Sequence, residues 1–126
     1  MSKEQQTVLE FVEACNANDV ERMLGFFAPD CVYHNIPVPA VRGVAAIRAV
    51  LDGFMGMASE VDWVVHHIAD SGTGVVLTER SDRFKIGAKW VELPVMGTFE
   101  VSAGKITAWR DYFDMQQFQR QLPSAQ

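Results

Sequence analysis

The residues best suited to chemistry lie in two runs in the second half of the chain. One run, residues 78–82, holds Arg80 and Asp82, and the other, residues 109–114, holds Asp111. Both runs are otherwise rich in β-branched, apolar and aromatic residues, which favours strands. Alternate residues of a strand share one face, so Arg80 and Asp82 point the same way. If both strands line one cavity, an arginine and two carboxylates meet in apolar surroundings, where charges are costly unless they are paired.

Two carboxyl groups that share an arginine favour acid–base chemistry. Where the dielectric is low, one carboxyl can keep its proton while the other is ionised, so the pair can act as general acid and general base. Tyr33 and Asn35 share one face of an earlier strand, and their polar groups can hold a water molecule. This set suits the addition of water to a strained, apolar electrophile such as an epoxide, which needs neither a metal nor a covalent intermediate. The alternative is a buried ion pair that only fixes the sheet.

Composition and charge limit the class of protein. The chain has 126 residues, of which 48% are hydrophobic and 21% charged, as expected for one domain over residues 1–126. The formal net charge of −5 disfavours a nucleic-acid or anionic-membrane partner. No apolar run reaches the roughly 20 residues of a membrane span, and the first six residues hold no apolar signal core, so a cytoplasmic location is predicted. Cys15 and Cys31 are expected to be reduced and buried.

The spacing of apolar residues predicts the elements that position the polar groups. Helices are predicted over residues 3–17, from a cap at Asn18 or Asp19 to a stop before Pro29, from about residue 44 to a closing stretch of glycines and methionines at 53–57, and over 115–121. Strands are predicted over residues 31–36, 60–68, 75–86, 90–101 and 105–114, and the tail 122–126 is expected to fray. This order predicts an α+β fold, in which a curved, mostly antiparallel sheet carries helices on one face and forms a cone.

The adjacent histidines His66 and His67 are the one pair that suggests a metal site. Neighbouring residues of a regular strand face opposite ways, so His67 is expected on the face of Trp63 and His66 on the other. Two such side chains cannot bind the same ion, and no metal site is predicted.

Four stretches of the sequence match a known family. They are residues 33–35 with Tyr-x-Asn, 77–82 with Arg-x-Asp, 93–100, and 104–114 with Trp-Arg-Asp-Tyr-Phe-Asp. With these motifs the chain resembles the limonene-1,2-epoxide hydrolase family, small enzymes that share a cone-shaped fold with nuclear transport factor 2 and ketosteroid isomerase. The N-terminal extension common in that family is expected to be short here, because the first predicted helix begins almost at Met1.

The resemblance implies a role for each of the five polar residues. Asp111 would be the base that takes a proton from water, and Asp82 the acid that protonates the epoxide oxygen. Arg80 would bridge the two carboxyl groups, while Tyr33 and Asn35 would hold the water. The resemblance further implies a small apolar epoxide and water as substrates, no cofactor, and a homodimer that pairs through the sheet.

The sequence also indicates which residues line the expected cavity. Strand parity and apolar character point to nine wall residues, namely Met23, Met57, Trp63, Val65, Phe84, Leu93, Val95, Phe113 and Phe118.

The same scaffold is compatible with a ketosteroid-isomerase-like or polyketide-cyclase-like enzyme, or with a module that binds an apolar ligand without chemistry. An isomerase or cyclase would have little use for an arginine between two carboxylates, and a binding module would need neither carboxylate. The residue pattern therefore favours the hydrolase.

Overall fold

The computed structural model describes residues 1–122, and in them four helices accompany one six-stranded sheet. The helices are α1 (Lys3–Asn16), α2 (Val20–Leu24), α3 (Val44–Met57) and α4 (Met115–Gln121). The strands are β1 (Phe27–Asn35), β2 (Val41–Arg42), β3 (Glu60–Asp70), β4 (Val75–Ile86), β5 (Lys89–Ser102) and β6 (Lys105–Tyr112). The predicted α+β class is confirmed. Of the tail that was expected to fray, residues 123–126 lie outside the described residues.

The sheet has the strand order β2-β1-β6-β5-β4-β3. Strands β3 to β6 follow one another as antiparallel neighbours, whereas β1 runs parallel to β6. This arrangement places β4 and β6, which carry the two charged runs, on either side of β5. The sheet is therefore mostly antiparallel, as predicted, and it brings residues from distant parts of the chain into register.

Helix α1 covers the face of the sheet that carries the site. Ser2 and Gln5 form the capping box that their spacing indicates, since each side chain bonds the backbone of the other residue. Phe11 is fully buried, and its ring meets Trp109 edge-on at a centroid distance of 5.0 Å. The apolar face of α1 thus packs on the aromatic centre of the sheet.

The junction between α2 and β1 differs from the prediction. Helix α2 ends at Leu24, and Phe27 opens β1 instead of lying on the helix. Phe27 pairs with Ile106, while the pairing of β1 with β6 is irregular from there to Val32. That irregularity accommodates Pro29, which has no N–H to donate to a ladder. Burial of Phe27 against the sheet outweighs its place in the helical pattern.

Helix α3 ends within the stretch of glycines and methionines, residues 53–57, that the sequence predicted would close it. It runs to Met57, and the Asn18 side chain donates to the carbonyl groups of Met55 and Ala58 at 3.3 and 3.2 Å. These bonds satisfy carbonyl groups that a helix C-terminus leaves without partners. The Asn18 side chain therefore fixes the end of α3 to the turn after α1.

The expected placement of the two histidines is wrong, because β3 contains a bulge. Val65 pairs with Arg80, but His67 already pairs with Glu79, so His66 is an extra residue. Both side chains are exposed: His66 Nε2 lies 2.8 Å from Ser81 Oγ, and His67 Nε2 lies 3.8 Å from Glu79 Oε1. Within residues 1–122, no three His, Cys, Asp or Glu side chains form a group that could hold a metal ion. In the same residues no helix is both long and apolar enough to cross a bilayer.

Candidate active site

Arg80 is the centre of the site and binds both carboxylates. Its Nε and Nη2 atoms each donate to an oxygen of Asp82 at 2.9 Å. Its Nη1 and Nη2 atoms donate to the two oxygens of Asp111 at 3.3 and 2.9 Å. The second proton of Nη1 is directed at Thr78 Oγ1, 3.0 Å away, so all five N–H donors of the guanidinium have an acceptor.

These charged groups are removed from solvent. The side chain of Arg80 is 0% exposed, and those of Asp82 and Asp111 are 5% exposed. The guanidinium lies between two aromatic rings, with its carbon 5.0 Å from the centroid of Trp63 and 5.8 Å from that of Phe99. Two bidentate ion pairs compensate much of the free-energy cost of this burial.

The pairing of β1 with β6 brings Tyr33 and Asn35 close to the carboxylate of Asp111. In the parallel register of β1 and β6, Tyr33 pairs with Trp109 and Asn35 pairs with Asp111. The ring of Tyr33 stacks on Trp109 at 4.1 Å with an interplanar angle of 12°. Trp109 Nε1 donates to Asp111 Oδ1 at 2.8 Å. One tryptophan therefore fixes both the phenol and the carboxylate.

Gly97 leaves the space that the ion pairs occupy. It lies on β5 opposite both Thr78 and Asp111. A Cβ atom at this position would lie 2.2 Å from Arg80 Nη1 and 2.6 Å from Asp111 Oδ1. Thr78 and Trp109 lie on the strand faces that alternation from Arg80 and Asp111 gives them, but the sequence assigned no role at the site to either residue or to Gly97. Only the register between strands identifies these three residues.

Burial and charge set the protonation of the site. Burial raises the pKa of Asp82 to about 6; the charge and hydrogen bonds of Arg80 act against this rise, and the charge of Asp111 adds to it. Burial lowers the pKa of Arg80, but the two carboxylates outweigh this effect and raise it well above its usual value. Burial, together with the charge of Asp111, raises the pKa of Tyr33 well above its usual value. The guanidinium is thus a permanent cation, and the phenol keeps its proton at neutral pH.

An apolar cavity opens beside the carboxylates. Its polar lining consists of Tyr33, Asn35, Asp82 and Asp111, so four of the five predicted polar residues face it. Arg80 is not among the lining residues and reaches the cavity only through its two carboxylate partners. The structure therefore brings two carboxyl groups, a phenol and a side-chain amide to the lining of one apolar cavity.

Five of the nine predicted wall residues line this cavity, and four do not. Those that line it are Trp63, Phe84, Leu93, Val95 and Phe113. Met23 is fully buried in the main core, Met57 is 44% exposed at the end of α3, and Val65 packs against the core beside the bulge. Phe118 lies one layer further out, where its ring meets those of Phe54 and Phe84 at 5.7 and 6.4 Å.

Helix α3 supplies the wall that strand parity could not reveal. Leu51, Phe54 and Met55 line the cavity from this helix. Leu51 and Phe54 belong to its predicted apolar stripe, so the signal was present in the sequence. The sequence did not show which element the stripe faces.

The comparisons with known proteins agree with this geometry. Residues 2–124 match the model of the limonene-1,2-epoxide hydrolase catalytic domain. The chain is 35% identical over 105 residues to epoxide hydrolase EphG of Mycobacterium tuberculosis, a match that covers 83% of this chain and 69% of that protein. A solved structure of an LEH-like epoxide hydrolase from M. tuberculosis has a TM-score of 0.81 and 32% identity, over 95% of this chain and 89% of that chain.

More distant structures share the fold. The structure of SalBIII, an epoxide hydrolase/cyclase-like enzyme in pyran ring formation, has a TM-score of 0.82 at 18% identity, over 91% of this chain and 93% of that chain. At this identity the likeness shows the cone-shaped scaffold alone. The family match, in contrast, spans residues 2–124 and includes every strand of the site. The chain therefore belongs to the limonene-1,2-epoxide hydrolase family and is an epoxide hydrolase.

Proposed function

We propose that this enzyme adds water to a small, apolar epoxide in one step and releases a vicinal diol, without a cofactor. The observation that carries the proposal is the buried Arg80, which binds two carboxylates that both face an apolar cavity. A water molecule and a strained ring are the reactants that a paired acid and base would serve best. The apolar wall has few hydrogen-bonding groups, so it suits a hydrocarbon-like substrate.

The two carboxyl groups have different tasks in the proposed reaction. Asp82 carries a proton, which its raised pKa favours, and donates it to the epoxide oxygen as the C–O bond breaks. Asp111 is ionised and takes a proton from the attacking water, whose oxygen forms the new C–O bond. After the reaction Asp111 holds a proton and Asp82 has lost one, so the pair must exchange a proton before the next cycle. Arg80 remains charged throughout and stabilises whichever carboxylate is ionised.

Tyr33 and Asn35 position the nucleophile in this scheme. Both residues line the cavity next to Asp111, and Asn35 pairs with Asp111 in the sheet. A water held by these three groups has its proton directed at the base. Holding the reactants in this way removes much of the entropic cost of bringing them together.

The central test is the replacement of each carboxylate by its amide. We expect Asp82→Asn and Asp111→Asn each to lower kcat for diol formation by about 10²-fold or more, because acid and base assistance are each worth about 10²–10⁴-fold. Asp52→Asn, at an exposed position of α3, is the matched control and should retain full activity. Circular dichroism should show that all three variants are folded. Substantial activity in both site variants would refute the assignment.

Isotope labelling separates direct attack by water from a covalent route. In a single turnover in ¹⁸O-water, direct attack places the label in the diol. A covalent carboxyl ester would instead place an unlabelled oxygen in the first diol and leave label in the protein. Mass spectrometry of diol and protein after one turnover reads out both outcomes.

We further propose that the enzyme is a homodimer that pairs through the outer face of its sheet. That face is the one opposite Arg80, and it carries four exposed apolar side chains, namely Val64, Leu77, Met96 and Tyr112. They lie on the adjacent strands β3 to β6, and Met96 pairs directly with Tyr112. Exposed apolar side chains on the face of a sheet, here with Met96 and Tyr112 as direct neighbours, favour association with a second copy.

A further inference from the structure

The backbone of Trp63 is held by one side chain from another element. Trp63 lies on β3, an edge strand of the described sheet, so one side of its backbone has no neighbouring strand there. Asn16, the last residue of α1, accepts a hydrogen bond from Trp63 N at 2.6 Å and donates one to Trp63 O at 3.2 Å. The amide side chain thus imitates a neighbouring strand at a single residue.

The side chain of Trp63 has contacts that matter for the site. It is 94% buried, lines the cavity, and holds its ring over the Arg80 guanidinium at 5.0 Å. Trp63 also lies directly opposite Asp82 in the antiparallel register of β3 and β4. The ring is therefore both a wall of the substrate cavity and a cover for the ion pairs.

No polar contact of its own fixes the indole ring. Its Nε1 is buried, and it has no hydrogen-bond partner among residues 1–122. The ring is held only by packing, by its cation–π contact and by the backbone to which it is attached. A buried donor without a partner is costly, so this tryptophan contributes to the site through its size and its aromatic face and not through its N–H group. The two bonds from Asn16 are the polar restraints on this residue beyond the sheet itself.

We propose that Asn16 is a positioning residue that acts through Trp63, holding the indole over the Arg80 guanidinium and so keeping water away from the two carboxyl groups. The inference rests on the proposed function for the role of Asp82 as the acid. It extends that function to a residue at the end of a helix, outside the cavity. The chemical consequence is that Asn16 and Trp63 help to raise the pKa of Asp82 above its usual value, so that a larger fraction of this carboxyl carries a proton at a given pH.

Four charged or titratable groups lie near Asp82 and could influence its pKa when the Trp63 ring is loosened. They are Arg80 on the same strand, Asp111 on β6, Tyr33 on β1 and Cys15 on α1. Burial raises the pKa of both Tyr33 and Cys15 well above its usual value, so these two groups stay neutral. Arg80 and Asp111 remain in place when the cover is loosened. The main change is then the access of water, and burial is the largest cause of the raised pKa of Asp82.

The test is a direct titration of Asp82 by carboxyl ¹³C NMR, with the resonance assigned from Asp82→Asn. In Trp63→Leu and Asn16→Ala we expect the midpoint to fall by roughly 0.5 to 1 pH unit, because water reaches the carboxyl. Adding Asn16→Ala to Trp63→Leu should produce no further shift, since Asn16 acts through the ring. The pH at which kcat/KM declines should fall in parallel.

Asn18→Gly is the matched structural control. Asn18, in the turn after α1, donates two side-chain bonds to backbone carbonyl groups at the end of α3, those of Met55 and Ala58; the variant removes both, and glycine tolerates the φ of +52° at this position. It should lower stability but leave the Asp82 midpoint unchanged. The inference is overturned if Asn16→Ala and Trp63→Leu leave the midpoint unchanged, or if their effects add independently. If the midpoint shifts but the wild type opens no epoxide, the positioning role stands and the proposed reaction fails.

Discussion

The indole N–H of Trp109 makes the two carboxyl groups of the site differ. Arg80 offers Nε and Nη2 to Asp82, whereas Asp111 receives Nη1, Nη2 and the indole N–H of Trp109. Asp111 therefore accepts one more hydrogen bond than Asp82. Hydrogen bonds to a carboxylate favour its ionised form. This asymmetry supports the assignment of Asp82 as the acid and Asp111 as the base.

The pH dependence of the reaction follows from the acid. In its proposed role as the acid Asp82 must be protonated, and burial raises its pKa to about 6. The protonated fraction falls as pH rises through that value, so kcat/KM should decline above about pH 6, approaching tenfold per pH unit. A profile of kcat/KM between pH 5 and pH 9 measures this limb. A flat profile across the range would contradict the assigned acid.

The alternation of side chains along a strand predicted which residues of a single strand share a face. It placed Arg80 with Asp82 and Tyr33 with Asn35, because alternation needs no knowledge of neighbouring strands. It failed at His67, where one bulged residue reverses the alternation. Parity also cannot show which strands are adjacent. The contact of Asp111 with Arg80 was expected from the family resemblance, whereas that of Trp109 with Tyr33 became visible only with the sheet order.

Strand β5 separates the two charged strands, and Gly97 is where the ion pairs cross it. Arg80 on β4 reaches Asp111 on β6 over the Cα of Gly97, because β5 lies between them. No side chain fits there without displacing the guanidinium or the carboxylate. The glycine is thus required by close approach, and its backbone conformation is an ordinary one.

We therefore expect Gly97→Ala to lower kcat by about 10²-fold, since a shift of about 1 Å in catalytic groups can cost that much. Overpacking should also reduce the free energy of unfolding by about 1–3 kcal/mol. Gly53→Ala is the control, because a Cβ there meets no atom within 4 Å. Steady-state kinetics and urea denaturation of both variants test the expectation. Full activity in Gly97→Ala would show that the ion pairs tolerate displacement.

Helix boundaries were the least predictable feature at the scale of elements. Phe27 fits the helical spacing of α2, yet its burial against the sheet makes it the first residue of β1. Helix α3 tolerates two glycines because Asn18, distant in sequence, caps its last carbonyl groups. Both outcomes depend on tertiary contacts, which local propensity does not contain.

The two faces of the sheet have separate tasks at the scale of the whole molecule. The inner face buries the ion pairs and the cavity, while the outer face exposes Val64, Leu77, Met96 and Tyr112. These side chains belong to the strands that carry the site, so a contact on the outer face would restrain the frame that holds Arg80. Dimerisation through this face would therefore support the geometry of the site without adding residues to it.

The dimer prediction is tested by placing a charge in the middle of the outer face. Met96 is 50% exposed and pairs with Tyr112, so Met96→Glu would bury a carboxylate in the proposed interface, which is costly. We expect light scattering to give twice the chain mass for the wild type and a monomer for this variant. Val38→Glu, at a position that is 39% exposed outside the sheet, should remain dimeric. A wild type that stays monomeric at micromolar concentration, or a dimer unaffected by Met96→Glu, would show that the outer face has another use.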